Sequence, residues 1–306
     1  MVMGMLITWL ESLAYEINIT AGCLHSLSRK STCNKCIDGC PVEAIALSNG
    51  KPAINEELCT KCGACIPVCP PTAIHGRSPE RTVYNNVLLI NEESFPGVEE
   101  LLYFYKKGIR TLSYKDNTQQ SLKVVNRLLT EMGVPAFKII DQTNCKDNEQ
   151  GYSRRGFFQK AVHEGRKLAA TTITPAKWRF NQDVFNIPGM FDETSLYNAV
   201  IDSSTCTVCE ACFKLCPKHV FSIDNEVIII NQKDCTGCSL CADVCTHDSI
   251  TVSLKAHKEL TSRMEIRIKA CSHCCNAFYS WPNESNELCE HCRNRRQNGY
   301  LSPYGN

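Results

Sequence analysis

Apolar residues change their period along the chain, and each period predicts a different element. Leu6, Trp9, Leu10, Leu13 and Ile17 recur at helical spacing, which predicts an amphipathic N-terminal helix. Met1–Leu10 is apolar, but no basic stretch precedes it and Glu11 interrupts it, so the helix is a better reading than a signal peptide. Val83–Ile90 predicts a strand. Gly97–Lys107 predicts a helix through Val98, Leu101, Leu102 and Tyr105, stopped at Gly108. Ile109–Tyr114 predicts a second strand. Gln119–Met132 predicts a second helix through Leu122, Val125, Leu128 and Leu129, stopped by Gly133. Ala136–Ile140 predicts a third strand, and the order βαβαβ implies a small parallel sheet. Three strands and two helices bury little apolar surface alone, so this layer is expected to lie against its neighbours. Phe157, Phe158, Ala161, Val162 and Leu168 form the apolar stripe of a further amphipathic helix. Residues 171–198, with Pro175 and Pro188, predict a linker.

Length and charge narrow the picture modestly. The 306 residues allow two or three domains. A net charge of +1 argues against nucleic acid or an anionic membrane as partner. No run approaches the roughly 20 apolar residues of a membrane span, so membrane contact is expected only through a partner. The first strand of the middle layer leads into Asn91-Glu92-Glu93-Ser94, which is acidic and lacks the glycines of a phosphate loop. Ser153-Arg154-Arg155-Gly156-Phe157-Phe158-Gln159-Lys160 looks like a twin-arginine export motif, but it is internal and charged residues follow it.

The 22 cysteines change the picture completely. Grouped as Cys-x2-Cys in a long chain, they point to metal and to a reducing, cytoplasmic location. Cys59, Cys62, Cys65 and Cys69 have spacings x2, x2 and x3, followed by Pro70. Cys206, Cys209, Cys212 and Cys216 repeat this before Pro217, and Cys235, Cys238, Cys241 and Cys245 repeat it before Thr246. Three thiolates so spaced wrap one face of a cubane cluster, and the fourth points to a second cluster. An offset of 176 residues relates Cys33, Cys36, Cys40, Cys59, Cys62, Cys65 and Cys69 to Cys209, Cys212, Cys216, Cys235, Cys238, Cys241 and Cys245. Ile45, Ile54 and Ile74 match Phe221, Ile230 and Ile250 at the same offset, so one unit occurs twice.

Each copy resembles the bacterial two-cluster ferredoxins. The resemblance implies a pseudo-twofold βαβ–βαβ unit with two 4Fe-4S clusters and crosswise ligands. In the second copy it assigns Cys206, Cys209, Cys212 and Cys245 to one cluster and Cys235, Cys238, Cys241 and Cys216 to the other. In the first it assigns Cys59, Cys62, Cys65 and Cys40 to one cluster, and Cys33, Cys36 and Cys69 to the other. The missing fourth ligand falls by offset on Lys30. Cys23 is the nearest upstream thiol; the rivals are His25 and a three-iron cluster with Cys23 free. Cys145 reads as a plain thiol.

Near the end, Cys271-x2-Cys274 and Cys289-x2-Cys292 are separated by fourteen residues, the spacing of a structural zinc ribbon. A rubredoxin-type iron site is the rival, although Cys275 and Arg293 stand where it carries glycine.

The expected fold class is therefore α+β: two ferredoxin-like dicluster units, an inserted βαβαβ layer and a C-terminal ribbon. The expected boundaries are 1–80 for the N-terminal helix and first unit, 81–145 for the α/β layer, 146–198 for helix and linker, 199–258 for the second unit and 259–306 for the ribbon and tail. The cofactors expected are four 4Fe-4S clusters and one zinc, with iron as the alternative. The chain resembles multi-cluster subunits of molybdenum or tungsten oxidoreductases and of hydrogenases. That implies an electron relay between a catalytic subunit and a donor or acceptor. The alternatives are a reductase with one site-differentiated cluster and an iron-sulfur redox-sensing regulator.

Overall fold

A computed structural model describes residues 17–91, 94–115, 118–140, 176–179 and 187–299. The expected helices before Ile17 and around Phe157, the twin-arginine-like motif and Cys145 lie outside the described residues.

The two copies share a backbone plan. In the first, Asn18–Ile19 pairs antiparallel with Ile74–His75, with Ile19 opposite Ile74. In the second, Ser195–Ile201 pairs with Ile250–His257, with Ile201 opposite Ile250. Each copy carries one hairpin: Ile45–Ser48 with Lys51–Ile54, and Phe221–Asp224 with Val227–Asn231. The turns Asn49-Gly50 and Asn225-Glu226 have both residues at positive φ, as the twist of a two-residue hairpin requires. Further left-handed residues recur at the 176 offset: Glu43 with His219, Lys61 with Gly237, Gly63 with Ser239 and Thr72 with Asp248. Val208 and Glu210 break the match, because Thr32 and Asn34 are not left-handed.

Between the copies stands a five-stranded mixed sheet with the order Lys138–Ile140, Thr111–Ser113, Val87–Leu89, Glu80–Tyr84, Ala176–Arg179. Its first three strands are parallel and linked by the helices Val98–Lys106 and Gln120–Glu131. Two expectations need correction. Val83–Ile90 is not one strand: Asn85 and Asn86 turn left-handed and fold it into a hairpin, with Val83 opposite Leu88. The expected linker contributes the edge strand Ala176–Arg179, antiparallel to Glu80–Tyr84.

The helices bury Leu101, Phe104, Leu122, Val125, Leu128 and Leu129 against Leu88 and Leu112. Each such side chain contributes roughly 1.5–3 kcal/mol when fully buried. A bidentate pair ties the hairpin to the first helix. Arg81 Nε and Nη2 donate to Glu100 at 2.6 and 2.8 Å, with both side chains buried. Removing either partner would strand a buried charge, at about 3–5 kcal/mol.

This layer touches both copies. Its core is continuous with Ile45, Cys65, Ile66 and Cys69 of the first. On the other side, Arg127 donates to the Leu254 carbonyl and Ala256 N–H donates to Glu131 at 2.8 Å.

At the C-terminal end, Thr261–Glu265 adds a third strand beside Val227–Asn231. Residues grouped by sequence with the ribbon therefore complete the second copy's sheet. The hairpin Arg267–Ala270 with Ala277–Ser280 and the helix Glu290–Gln297 follow. Ile266 and Trp281 are buried in the second copy's core, so this C-terminal segment is seated on that copy.

Candidate iron-sulfur centres

Short loops and single helical turns place the thiols, and three cavities collect them crosswise. One is lined by Cys40, Cys59, Cys62 and Cys65 with Ile17, Val42, Ile45 and Ile54. A second is lined by Cys23, Cys33, Cys36 and Cys69 with Ile19, Leu24, Ala73 and Ile74. A third is lined by Cys216, Cys235, Cys238 and Cys241 with Ala199, Val220, Phe221 and Val252. In the second copy, Cys206 lies within electrostatic reach of both Cys209 and Cys245, and Cys212 of both Cys206 and Cys209. Every cysteine among the described residues is a free thiol.

The donor chemistry fits iron-sulfur cubanes, which take four cysteine thiolates each. Backbone N–H groups point at the sulfurs: Ala44 at Cys40 and Ala73 at Cys69 (3.2 Å each), Val220 at Cys216 (3.4 Å) and Ser249 at Cys245 (3.3 Å). Such donors stabilise negative sulfur. Burial works against them. It pushes the Cys36 and Cys65 thiols up to about 12, helped by Cys33 and Cys62 respectively. At Cys36 and Cys65, metal binding would therefore displace the thiol proton.

Cys23 reaches its cage by a route the offset misses. Thr20 N–H bonds the Ala73 carbonyl as Asp202 N–H bonds that of Ser249, and the paired strands thereby share a register. Cys23 N–H then bonds the Thr20 carbonyl three residues back, while Asp202 accepts from both Thr205 N–H and Cys206 N–H, so each strand runs into a tight turn. Cys23 thus leaves the paired strand through the same kind of turn as Cys206, one residue sooner, and the helical turn Leu24–Leu27 follows it. His25, buried, makes a 2.8 Å ring-nitrogen hydrogen bond with the Cys33 carbonyl and pins that helical turn back. Lys30 is exposed.

Glycine use inside the cages follows local crowding. Lys61 and Gly63 are left-handed in the first copy, and Gly237 and Ser239 in the second. A Cβ on Gly63 would stand 2.1 Å from the Arg77 carbonyl oxygen, and one on Gly237 would stand 2.0 Å from the Tyr197 ring. The glycine falls at whichever of the two positions is pressed upon.

At the C-terminal end, Cys271, Cys274, Cys289 and Cys292 converge, all four sulfurs lying within 4.8 Å of one another. Cys274 Sγ and Cys289 Sγ are 3.8 Å apart, the edge of a tetrahedron with metal–sulfur bonds of about 2.3 Å. Burial opposes ionisation of Cys271, but N–H groups of Cys274, Cys289 and His273 outweigh it and bring the thiol down to about 6. Cys275 is exposed and left-handed, in the position an unstrained knuckle gives to glycine. Trp281 Nε1 donates to the Cys206 carbonyl at 2.6 Å, and His247 meets Glu290 at 3.3 Å. The C-terminal segment therefore abuts the loop that carries Cys206. Sequence reasoning weighed His25 only as a rival ligand, and it missed Tyr197 and Trp281, whose roles depend on contacts distant along the chain.

Residues 31–73 and 198–246 each match a 4Fe-4S dicluster domain family. The chain belongs to the dicluster ferredoxins, and it is a ferredoxin-like iron-sulfur electron carrier. Among relatives, it is 44% identical over 45 residues to a ferredoxin of Methanothermococcus thermolithotrophicus, covering 14% of this chain and 75% of that protein. It is 38% identical over 55 residues to an uncharacterised ferredoxin of Methanocaldococcus jannaschii, covering 17% of this chain and 89% of that one. A similar stretch occurs in one subunit of an ion-translocating oxidoreductase complex of Methanosarcina acetivorans: 44% over 45 residues, 15% of this chain and 17% of that subunit. No helix among the described residues is long and apolar enough to cross a membrane.

Proposed function

We propose that the chain holds four 4Fe-4S clusters and relays electrons between the catalytic subunit of a redox enzyme and a donor or acceptor. The ligand sets are Cys40 with Cys59, Cys62 and Cys65; Cys23 with Cys33, Cys36 and Cys69; Cys216 with Cys235, Cys238 and Cys241; and Cys206 with Cys209, Cys212 and Cys245. The observation that carries this reading is the crosswise lining of three cavities, each by four cysteines from separate motifs. Cys23 in the second of these favours a complete thiolate set over an open iron, and hence a relay over a reductase. The C-terminal four-thiol site takes one zinc and is structural, because four protein ligands leave no position for substrate. The relay works in a reducing compartment and meets membranes only through its partner.

Iron and sulfide analysis after anaerobic reconstitution tests the reading. About sixteen of each per chain are expected for four cubanes. Eight or fewer would mean that one unit is empty. Zinc should copurify at one per chain, whereas a redox-active mononuclear iron signal would make the ribbon rubredoxin-like.

A further inference from the structure

The two dicluster units touch where the first departs from the repeat. The insertion between Cys23 and Cys33 carries Leu24, which is 1% exposed and lies against Leu240 and Val244 of the second unit. Cys33 and Cys238, one from each unit, border this same small apolar cluster. At the end of the insertion, Thr32 N–H donates to Asp243 Oδ2 at 2.9 Å, and Thr32 Oγ1–H donates to Asp243 Oδ1 at 2.7 Å. Asp243 stands between Cys241 and Cys245, so both ends of this lock are next to cluster-binding loops. A carboxylate that accepts from a backbone N–H and a hydroxyl of one residue fixes distance and orientation together.

The rest of the arrangement follows from the cores. Cys36, Cys40, Cys65 and Cys69 share one core in the first unit. Cys206, Cys212, Cys216, Cys235 and Cys241 share another in the second. The small cluster around Leu24 joins the Cys33 side of one to the Cys238 side of the other. Exposure is distributed accordingly: Cys62 and Cys209, the exposed thiols of the four cages, belong to the cages away from this seam.

We infer that the insertion Leu24–Thr32 is a connector that sets the Cys33 cage of the first unit face to face with the Cys238 cage of the second, so that the four cages form one row with its accessible ends at Cys62 and Cys209. The inference rests on the reading that all four cages are loaded. It adds that electrons cross between the units internally, without a partner as bridge, and that partners engage the two ends. Thr32 and Asp243 are positioning residues in this scheme.

The test uses the full chain, reconstituted anaerobically, with Thr32→Ala and Asp243→Ala combined and Asp243→Asn as a milder second variant. Iron content should stay at the wild-type level in both. Hydrogen exchange in 24–32 and 240–244 should quicken together. In the fully reduced protein, the electron paramagnetic resonance signal of four interacting clusters should resolve toward two separate pairs, less completely in the milder variant. Unchanged exchange in both segments, or an unchanged interaction signal, would overturn the connector. A wild-type iron content of eight or fewer would overturn the four-cluster reading instead. The exchange data would then still decide whether the seam exists.

Discussion

In the second unit Cys206 follows the strand Ser195–Ile201 and leads directly to Cys209, which is flanked by left-handed residues at Val208 and Glu210. In the first unit nine residues separate Cys23 from Cys33, and neither Thr32 nor Asn34 is left-handed. The tight wrap of the ordinary motif is gone, yet Cys23 arrives in the same cavity as Cys33, Cys36 and Cys69. The difference shows which part of the repeat is adjustable. The strand before the first cysteine, the hairpin and the second motif keep their backbone; the stretch between the first two cysteines can lengthen and take on another task. Here it supplies the contact with the other unit.

The strongest way to test the likeness of the units is through their glycines. Gly237→Ala puts a methyl on the Tyr197 ring at positive φ, and Gly63→Ala puts one on the Arg77 carbonyl. Each should destabilise its own unit by about 2–5 kcal/mol, from left-handed strain plus overpacking. Iron analysis and denaturant melts should show one unit emptied and the other spared. Equal loss from both units would mean that they do not behave separately.

Removing the first thiol of each unit comes next. Cys23→Ala and Cys206→Ala should each produce a three-iron resonance signal absent from carefully anaerobic wild-type protein. If Cys206→Ala gives the signal and Cys23→Ala does not, the ligand assignment of Cys23 is wrong.

The third test concerns the ribbon, which only the second unit carries. Cys289→Ser should release zinc and unfold the residues beyond about 265. Trp281 would then leave the Cys206 carbonyl, so one cluster signal of the second unit should shift while those of the first unit stay. A shift in the first unit would show that the ribbon acts through a contact other than Trp281.

The smallest effect separates strain from crowding. Lys61→Gly and Ser239→Gly relieve left-handed strain at the uncrowded positions, while glycine raises the entropy of the unfolded chain. Stability should stay within about 1 kcal/mol of wild type in thermal melts. A larger gain would mean that these side chains are more strained than their surroundings suggest.

Much of this arrangement is legible in the chain, and the reasons are local. Thiols spaced x2, x2 and x3 can be grouped because the geometry they serve spans one loop. The helices through Leu101 and Leu128 can be read because burial on one face leaves a period. Asn85-Asn86 was hidden because apolar residues continue on both sides, although two adjacent asparagines are a turn signal. Ala176–Arg179 and Thr261–Glu265 become strands only by pairing with distant edges. The Thr32–Asp243 lock joins residues 211 positions apart, and nothing in either neighbourhood marks it. Offset arithmetic lands on exposed Lys30 because nine residues separate Cys23 from Cys33 where two separate Cys206 from Cys209.

The indole hydrogen bond from Trp281 to Cys206 bears on the order of synthesis. The first unit's closing strand, Ile74–His75, leaves the ribosome early. The loop of Cys206 lacks this hydrogen bond until residue 281 has emerged. At about 5–20 residues per second, tens of seconds separate the two events. A chain stalled or truncated before the ribbon would therefore carry a sound first unit and an unbraced loop at one end of the second.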